Sequence, residues 1–122
     1  MNFEGRAPQP EDSANSLERR LFERFGARFP AKFEHSANDF GTDVFLRDAS
    51  AKGIKFLTKE RLYLHDSVSL EIELPDGHEP MILNGRVIRI HPVQNDLWEV
   101  GVEFHKVHLM KVHRMYKLVS PE

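Results

Sequence analysis

The sequence predicts a small all-β fold, a barrel or sandwich of roughly six short antiparallel strands followed by one helix. Three observations carry this. Several segments alternate apolar and polar residues with period two, turn-forming residues separate them at regular spacing, and the period becomes helical only near the C-terminus. A chain of 122 residues, 40% of them apolar, suits one domain with one core.

Residues 1–15 are rich in Pro, Glu, Asp, Ser, Asn and Gly and read as a disordered N-terminal tail. Ser16 is placed to cap a helical turn running to Glu23, and Arg24-Phe25-Gly26 breaks that turn and starts a strand. Phe29, Ala31 and Phe33 then alternate with Arg28, Pro30, Lys32 and Glu34, giving one apolar and one wet face. A turn at Ser36-Ala37-Asn38-Asp39 leads into a strand over residues 42–47. A tight corner over 48–53 leads into another strand over 54–58. Val68, Leu70, Ile72 and Leu74 alternate with Ser67, Ser69, Glu71 and Glu73, the cleanest strand signal in the chain, and Pro75-Asp76-Gly77 supplies a turn. Residues 81–90 and 97–105 give the last two strands, joined near His91-Pro92 and Gln94-Asn95-Asp96. Closing such a sheet into a barrel would hide its edges. Leu109, Val112, Tyr116 and Val119 fall at helical spacing, so a helix over 107–119 lies against the sheet.

Composition narrows the function. The chain has no cysteine, which removes disulfides and thiolate chemistry. No apolar run is long enough to span a bilayer, and the first residues lack the basic-then-apolar order of a secretory signal, so a cytoplasmic protein without membrane insertion is expected. A net charge of −2 gives no average field for a polyanion. Arg19, Arg20, Arg24 and Arg28 nevertheless crowd one stretch, which suits a small anion better than a nucleic acid strand. The aromatics sit mainly at inward-alternating positions, unlike the exposed stacking platform of a strand binder. His105, His108 and His113 have neither a cysteine nor an HExxH pattern beside them, so packing or surface roles are expected and no metal. Asp39, Asp43, Asp48 and Asp66 offer no carboxylate pair, and no Ser/His/Asp order stands out, so no enzyme is expected.

Two motifs remain: Arg20-Leu21-Phe22-Glu23-Arg24, preceded by Arg19, and Asp48-Ala49-Ser50-Ala51-Lys52-Gly53. Each alone has an ordinary reading. The first places two arginines on one face of a helical turn; the second is a turn whose Asp and Ser bond local backbone while Gly tolerates positive φ. Together, guanidinium forks and an acid-hydroxyl-glycine corner suit an anionic guanine ligand. In this order and context the motifs resemble the PilZ family, whose members bind the bacterial second messenger cyclic di-GMP. The resemblance runs from about Glu18 to Phe104, through Leu74-Pro75-Asp76-Gly77, Gly85-Arg86-Val87 and Val100-Gly101-Val102-Glu103-Phe104. It implies an all-β, six-stranded antiparallel PilZ-type barrel over 27–106, an arginine switch segment over 16–26 and the C-terminal α-helix over 107–119.

The resemblance also implies a function. Arg19, Arg20, Arg24, Asp48, Ser50 and Gly53 become the cyclic di-GMP-binding residues of a bacterial receptor that needs no cofactor. Arg20 and Arg24 would offer forks to guanine edges or phosphates, and Asp48 would accept from guanine N1 and N2. Ser50 would bind a base edge or phosphate, and Gly53 would let the ligand approach the backbone. In the family an arginine just before the motif goes with an intercalated, self-stacked ligand dimer, so Arg19 implies two molecules per chain. Ligand binding would order the arginine segment and alter contacts with an unidentified effector protein, controlling motility, attachment or exopolysaccharide. The alternative is a PilZ-fold interaction module that acts without nucleotide.

Overall fold

The computed structural model describes residues 10–36 and 39–119. In chain order they form α1 (Pro10–Phe22), β1 (Phe25–Gly26), β2 (Pro30–Ser36), β3 (Asp39–Ser50), β4 (Gly53–Thr58), β5 (Ser67–Ile72), β6 (Met81–Gln94), β7 (Leu97–Phe104) and α2 (Leu109–Val119). The strands lie in the order β1-β3-β2-β5-β6-β7-β4, and β4 pairs back onto β3. Six strands therefore close into an antiparallel barrel, as expected, and no long edge is left open. The remaining strand, β1, is a two-residue strand that lies on the same side of β3 as β2, with Phe25 opposite Ala49 and Gly26 opposite Asp48. That short pairing carries the arginine segment to the β3–β4 corner.

Period-two alternation fills the interior. Val68, Leu70 and Ile72 of β5, Ile54 and Phe56 of β4, and Val100, Val102 and Phe104 of β7 are all buried. Helix α2 joins the core through Val112 and Met115, both completely buried. Val112 belongs to the helical stripe read from sequence; Met115 does not, and Val119 of that stripe is 39% exposed. The helix is clamped from the side as well. Lys111 Nζ donates to the Ile82 carbonyl at 2.7 Å, and Arg114 donates to both Asp76 oxygens, at 2.6 and 3.0 Å. The Arg114 guanidinium holds the Asp76 carboxyl well below the usual carboxylate range.

Besides β3, which runs from Asp39 to Ser50 rather than over 42–47, three boundaries differ from the expectation. Residues 10–15 are helical rather than part of a tail, while 1–9 and the 37–38 turn lie outside the described residues. Proline opens α1, where its fixed φ fits and its missing N–H costs nothing. Second, β6 runs through His91-Pro92 to Gln94 before a two-residue turn in which Asp96 takes φ +59°. Third, α2 begins at Leu109, with Val112 N–H donating to the His108 carbonyl at 3.0 Å. Among the described residues no helix is long and apolar enough to cross a membrane.

Candidate functional site

The site is built by register across the barrel wall. Gly26 pairs with Asp48, Asp48 with Lys55, Lys55 with Gly101, and Gly101 with Arg89, giving one transverse row on β1, β3, β4, β7 and β6. Directly paired residues share a face of the sheet. The next row but one runs Ser50, Gly53, Glu103, Arg86. Between them, Ala49, Ile54, Val102 and Val87 point inward and are buried. Each outer row contains a glycine, and the missing side chains leave a groove of about 220 Å3 over Gly53 and Gly101. Its charged lining is Arg24, Lys52, Lys55 and Arg89 against one acid, Glu103. Glu103 already faces Arg86, 3.6 Å away. The groove thus carries a positively charged lining around a floor without side chains.

The two glycines have different reasons to be there. A Cβ on Gly53 would lie 2.3 Å from the Val102 carbonyl oxygen, so the contact between β4 and β7 excludes any side chain. A Cβ on Gly101 would meet only Arg89 Cβ at 3.5 Å, an ordinary contact. Gly101 can carry a Cβ without displacing backbone, and its bareness keeps the groove floor clear.

Among the residues singled out from sequence, Arg24 and Asp48 are brought together: Arg24 Nε donates to Asp48 Oδ1. Lys55 Nζ stands 4.0 Å from the other Asp48 oxygen. Ser50 is only 3% exposed, and its hydroxyl oxygen accepts from the Lys52 N–H at 3.2 Å, which fixes the hairpin turn. Gly53 follows the turn and borders the groove. Arg19 and Arg20 lie exposed in the last turn of α1, where positive side chains suit the helix C-terminus. They do not line the groove. Because α1 stops at Phe22, Arg20 and Arg24 do not share a helical face. The segment is tied to the corner by the Ala51 N–H, which donates to the Leu21 carbonyl at 2.6 Å, and by Leu21 itself, 3% exposed. The Phe25 ring meets Tyr116 of α2 edge-on at 5.2 Å.

Sequence reading missed Lys52, Lys55, Gly101 and Arg89. Lys52 lay within the quoted motif and Lys55 two residues beyond it, on the same strand face as Gly53. Arg89 had no local signal, because a register shift between Val87 and Arg89 sets its direction. Among the described residues no group of three or more His, Asp or Glu side chains is arranged to hold a metal ion.

Comparison with known proteins agrees with this architecture. The fold is similar to Bacillus subtilis inhibitor of motility (MotI/DgrA), with TM-score 0.55, 15% identity, and coverage of 77% of this chain and 46% of that one. It is also similar to K. pneumonia MrkH in its c-di-GMP complex, with TM-score 0.54, 18% identity, and coverage of 80% and 49%. A third is Borreliella burgdorferi PlzA in complex with c-di-GMP, with TM-score 0.52, 15% identity, and coverage of 94% and 51%. The chain therefore spans about half the length of these solved structures. No curated protein sequence matches it. The family model for the PilZ domain matches residues 18–115, from the end of α1 to the buried Met115 of α2, and the chain belongs to the PilZ domain family.

Proposed function

We propose that this protein is a cyclic di-GMP receptor whose ligand lies in the groove over Gly53 and Gly101. The observation that carries this reading is the groove's charge: four cations and one already partnered acid line a cleft, and one of those cations, Arg24, is bonded directly to Asp48. Cyclic di-GMP presents two phosphates, which Lys52, Lys55 and Arg89 are placed to neutralise, and two guanines. Arg24 leaves Asp48 to engage a guanine O6/N7 edge or a phosphate, and the freed carboxylate accepts from guanine N1 and N2. The Ser50 oxygen is engaged by Lys52 N–H, so its O–H proton remains to donate to the ligand. Gly101 leaves room for a ring to lie on the barrel wall. Arg20 and Arg19 reach the ligand from the helix end, and Arg19 brings the count to two stacked molecules per chain. We read binding without turnover. Signal output passes from the α1–β1 segment to an effector protein in the cytoplasm that governs motility, attachment or exopolysaccharide.

Isothermal titration with cyclic di-GMP tests this. The wild-type chain should bind with a stoichiometry near two, Arg24→Ala should bind about ten- to a hundredfold more weakly, and Gly101→Leu should not bind although it folds. A stoichiometry of one removes the stacked pair. Wild-type binding that survives Gly101→Leu moves the ligand out of this groove. One observation favours a second reading: Arg24 and Asp48 satisfy each other without a ligand. No heat from the wild-type chain would make that pair a structural tie and the protein a PilZ-fold interaction module that acts without nucleotide.

A further inference from the structure

A second groove lies beside Trp98, at the opposite end of β7 from Phe104 and α2. It holds about 610 Å3 and is lined by Arg61, Tyr63, Leu64, Ile88, Arg89 and Trp98, among others. The connection between β4 and β5 carries Tyr63 and Leu64 out into solvent, 57% and 54% exposed, and Ile88 sits 45% exposed at the β6 irregularity. Tyr63, Leu64 and Ile88 thus border one groove and offer it apolar surface. Its centre is ordered: the Arg61 guanidinium lies over Tyr63 and Trp98, 4.4 and 4.7 Å from the ring centroids, and donates to the Leu62 carbonyl at 2.6 Å. Arg, Tyr and Trp are the residues that dominate interface energetics.

We infer that this groove docks a segment of a partner protein in which acidic residues flank an apolar side chain. The charge of the lining decides the occupant. Arg61 and Arg89 are its ionised residues, and no acid lines it. Among the described residues neither guanidinium forms an ion pair. Ile88, Leu64 and Trp98 supply the apolar contact, and the two forks supply bidentate partners for carboxylates. A nucleic acid strand fits less well. The aromatic surfaces that bases would stack on already carry Arg61, and the chain's net charge is −2. Ile88 and Arg89 border both this groove and the one over Gly101, so an occupant of either meets the same guanidinium.

The sole tryptophan of the chain is Trp98, so its fluorescence reports this groove alone. A display library of random peptides is selected on the wild-type protein and counter-selected on Leu64→Asp, a change at an exposed loop position outside the nucleotide groove. Enriched sequences should combine Asp or Glu with a large apolar residue. The best of them, synthesised, should shift Trp98 emission saturably. Arg61→Ala should weaken that response about tenfold and Leu64→Asp about thirtyfold or more, the size expected of central interface residues. A copy with its acids changed to lysine should give no response. Leu64→Asp should titrate with cyclic di-GMP as the wild type does, which separates failure here from failure of the nucleotide reading. The inference is overturned by no enrichment, by enrichment of basic or uncharged peptides, or by an equal response to single-stranded DNA. An emission shift that follows protein concentration alone also overturns it, because a second copy of the chain then fills the groove.

Discussion

The β3–β4 hairpin and the α1–β1 segment meet at one groove, but different forces hold them. In the hairpin, Ala49 and Ala51 are completely buried, Ser50 is 3% exposed, and Gly53 lies where any Cβ would strike the Val102 carbonyl. Its backbone is pinned on both sides, with the Ala51 N–H bonded to Leu21 and the Lys52 carbonyl accepting from Phe104 N–H. The α1–β1 segment has one fully seated side chain, Leu21, a two-residue strand and an edge-on ring contact; its arginines are exposed. The lesson is that a motif can mix residues the fold demands with residues it does not. Ser50 and Gly53 are accounted for by the hairpin and barrel wall with no ligand at all. Arg19, Arg20 and Arg24 are not, and they are where a ligand-dependent role has to be sought.

Gly53→Ala attacks the rigid side and should give the largest effect. The added methyl cannot be accommodated by moving a flexible side chain, because what it strikes is backbone. Strands β4 and β7 must separate locally, at a cost of roughly 3 kcal/mol, the upper end for overpacked interiors. Urea denaturation should show the midpoint falling accordingly. A variant as stable as wild type would mean that the hairpin is not the rigid partner.

Arg24→Ala attacks the other side. Arg24 is 45% exposed and Asp48 26%, so their ion pair should contribute no more than about 0.5 kcal/mol to stability. Loss of the ligand fork should cost about 1–3 kcal/mol of binding. Denaturation and titration of the same variant therefore give opposite rankings from Gly53→Ala, whose main effect is on the fold. If Arg24→Ala lowers stability as much as it lowers affinity, the contrast between the two sides fails.

The same contrast explains what the sequence could and could not reveal. Alternation identified β5 and the buried stripe of β7 because burial on one face imposes period two directly. The hairpin corner was legible because its chemistry is local: an acid, a hydroxyl and a glycine within six positions. Lys55, Gly101 and Arg89 become neighbours only through pairing across three strands, with a register shift before Arg89, and Asp48 joins their row through another shift on β3. No local pattern encodes that. Residues 10–15 misled for a related reason. Their polar composition lacks a core-facing stripe, yet α1 continues through them because it is a helix anchored farther on, at Leu17 and Leu21.

The smallest effect concerns what lies beneath the exposed side of the comparison. The α1–β1 segment rests on α2, through the packing of α1 against it and through Phe25 on Tyr116. In turn, α2 is tied to the β5–β6 turn by Arg114 and Asp76. The carboxyl of Asp76 is depressed in the folded protein by its hydrogen bonds from Arg114, so the folded state favours the ionised form. Stabilisation from this pair is fully present above the ordinary carboxylate range and declines as pH falls below about 4 toward the depressed value. Asp76→Asn should therefore lower Tm slightly at neutral pH, and the gap from wild type should narrow on acidification. Amide exchange should show the loss first in α2 and residues 17–25, with the hairpin protected to lower pH. Simultaneous opening of the hairpin would instead mean that α2, the arginine segment and the corner form one cooperative unit, and the two sides of the groove would differ in exposure but not in rigidity.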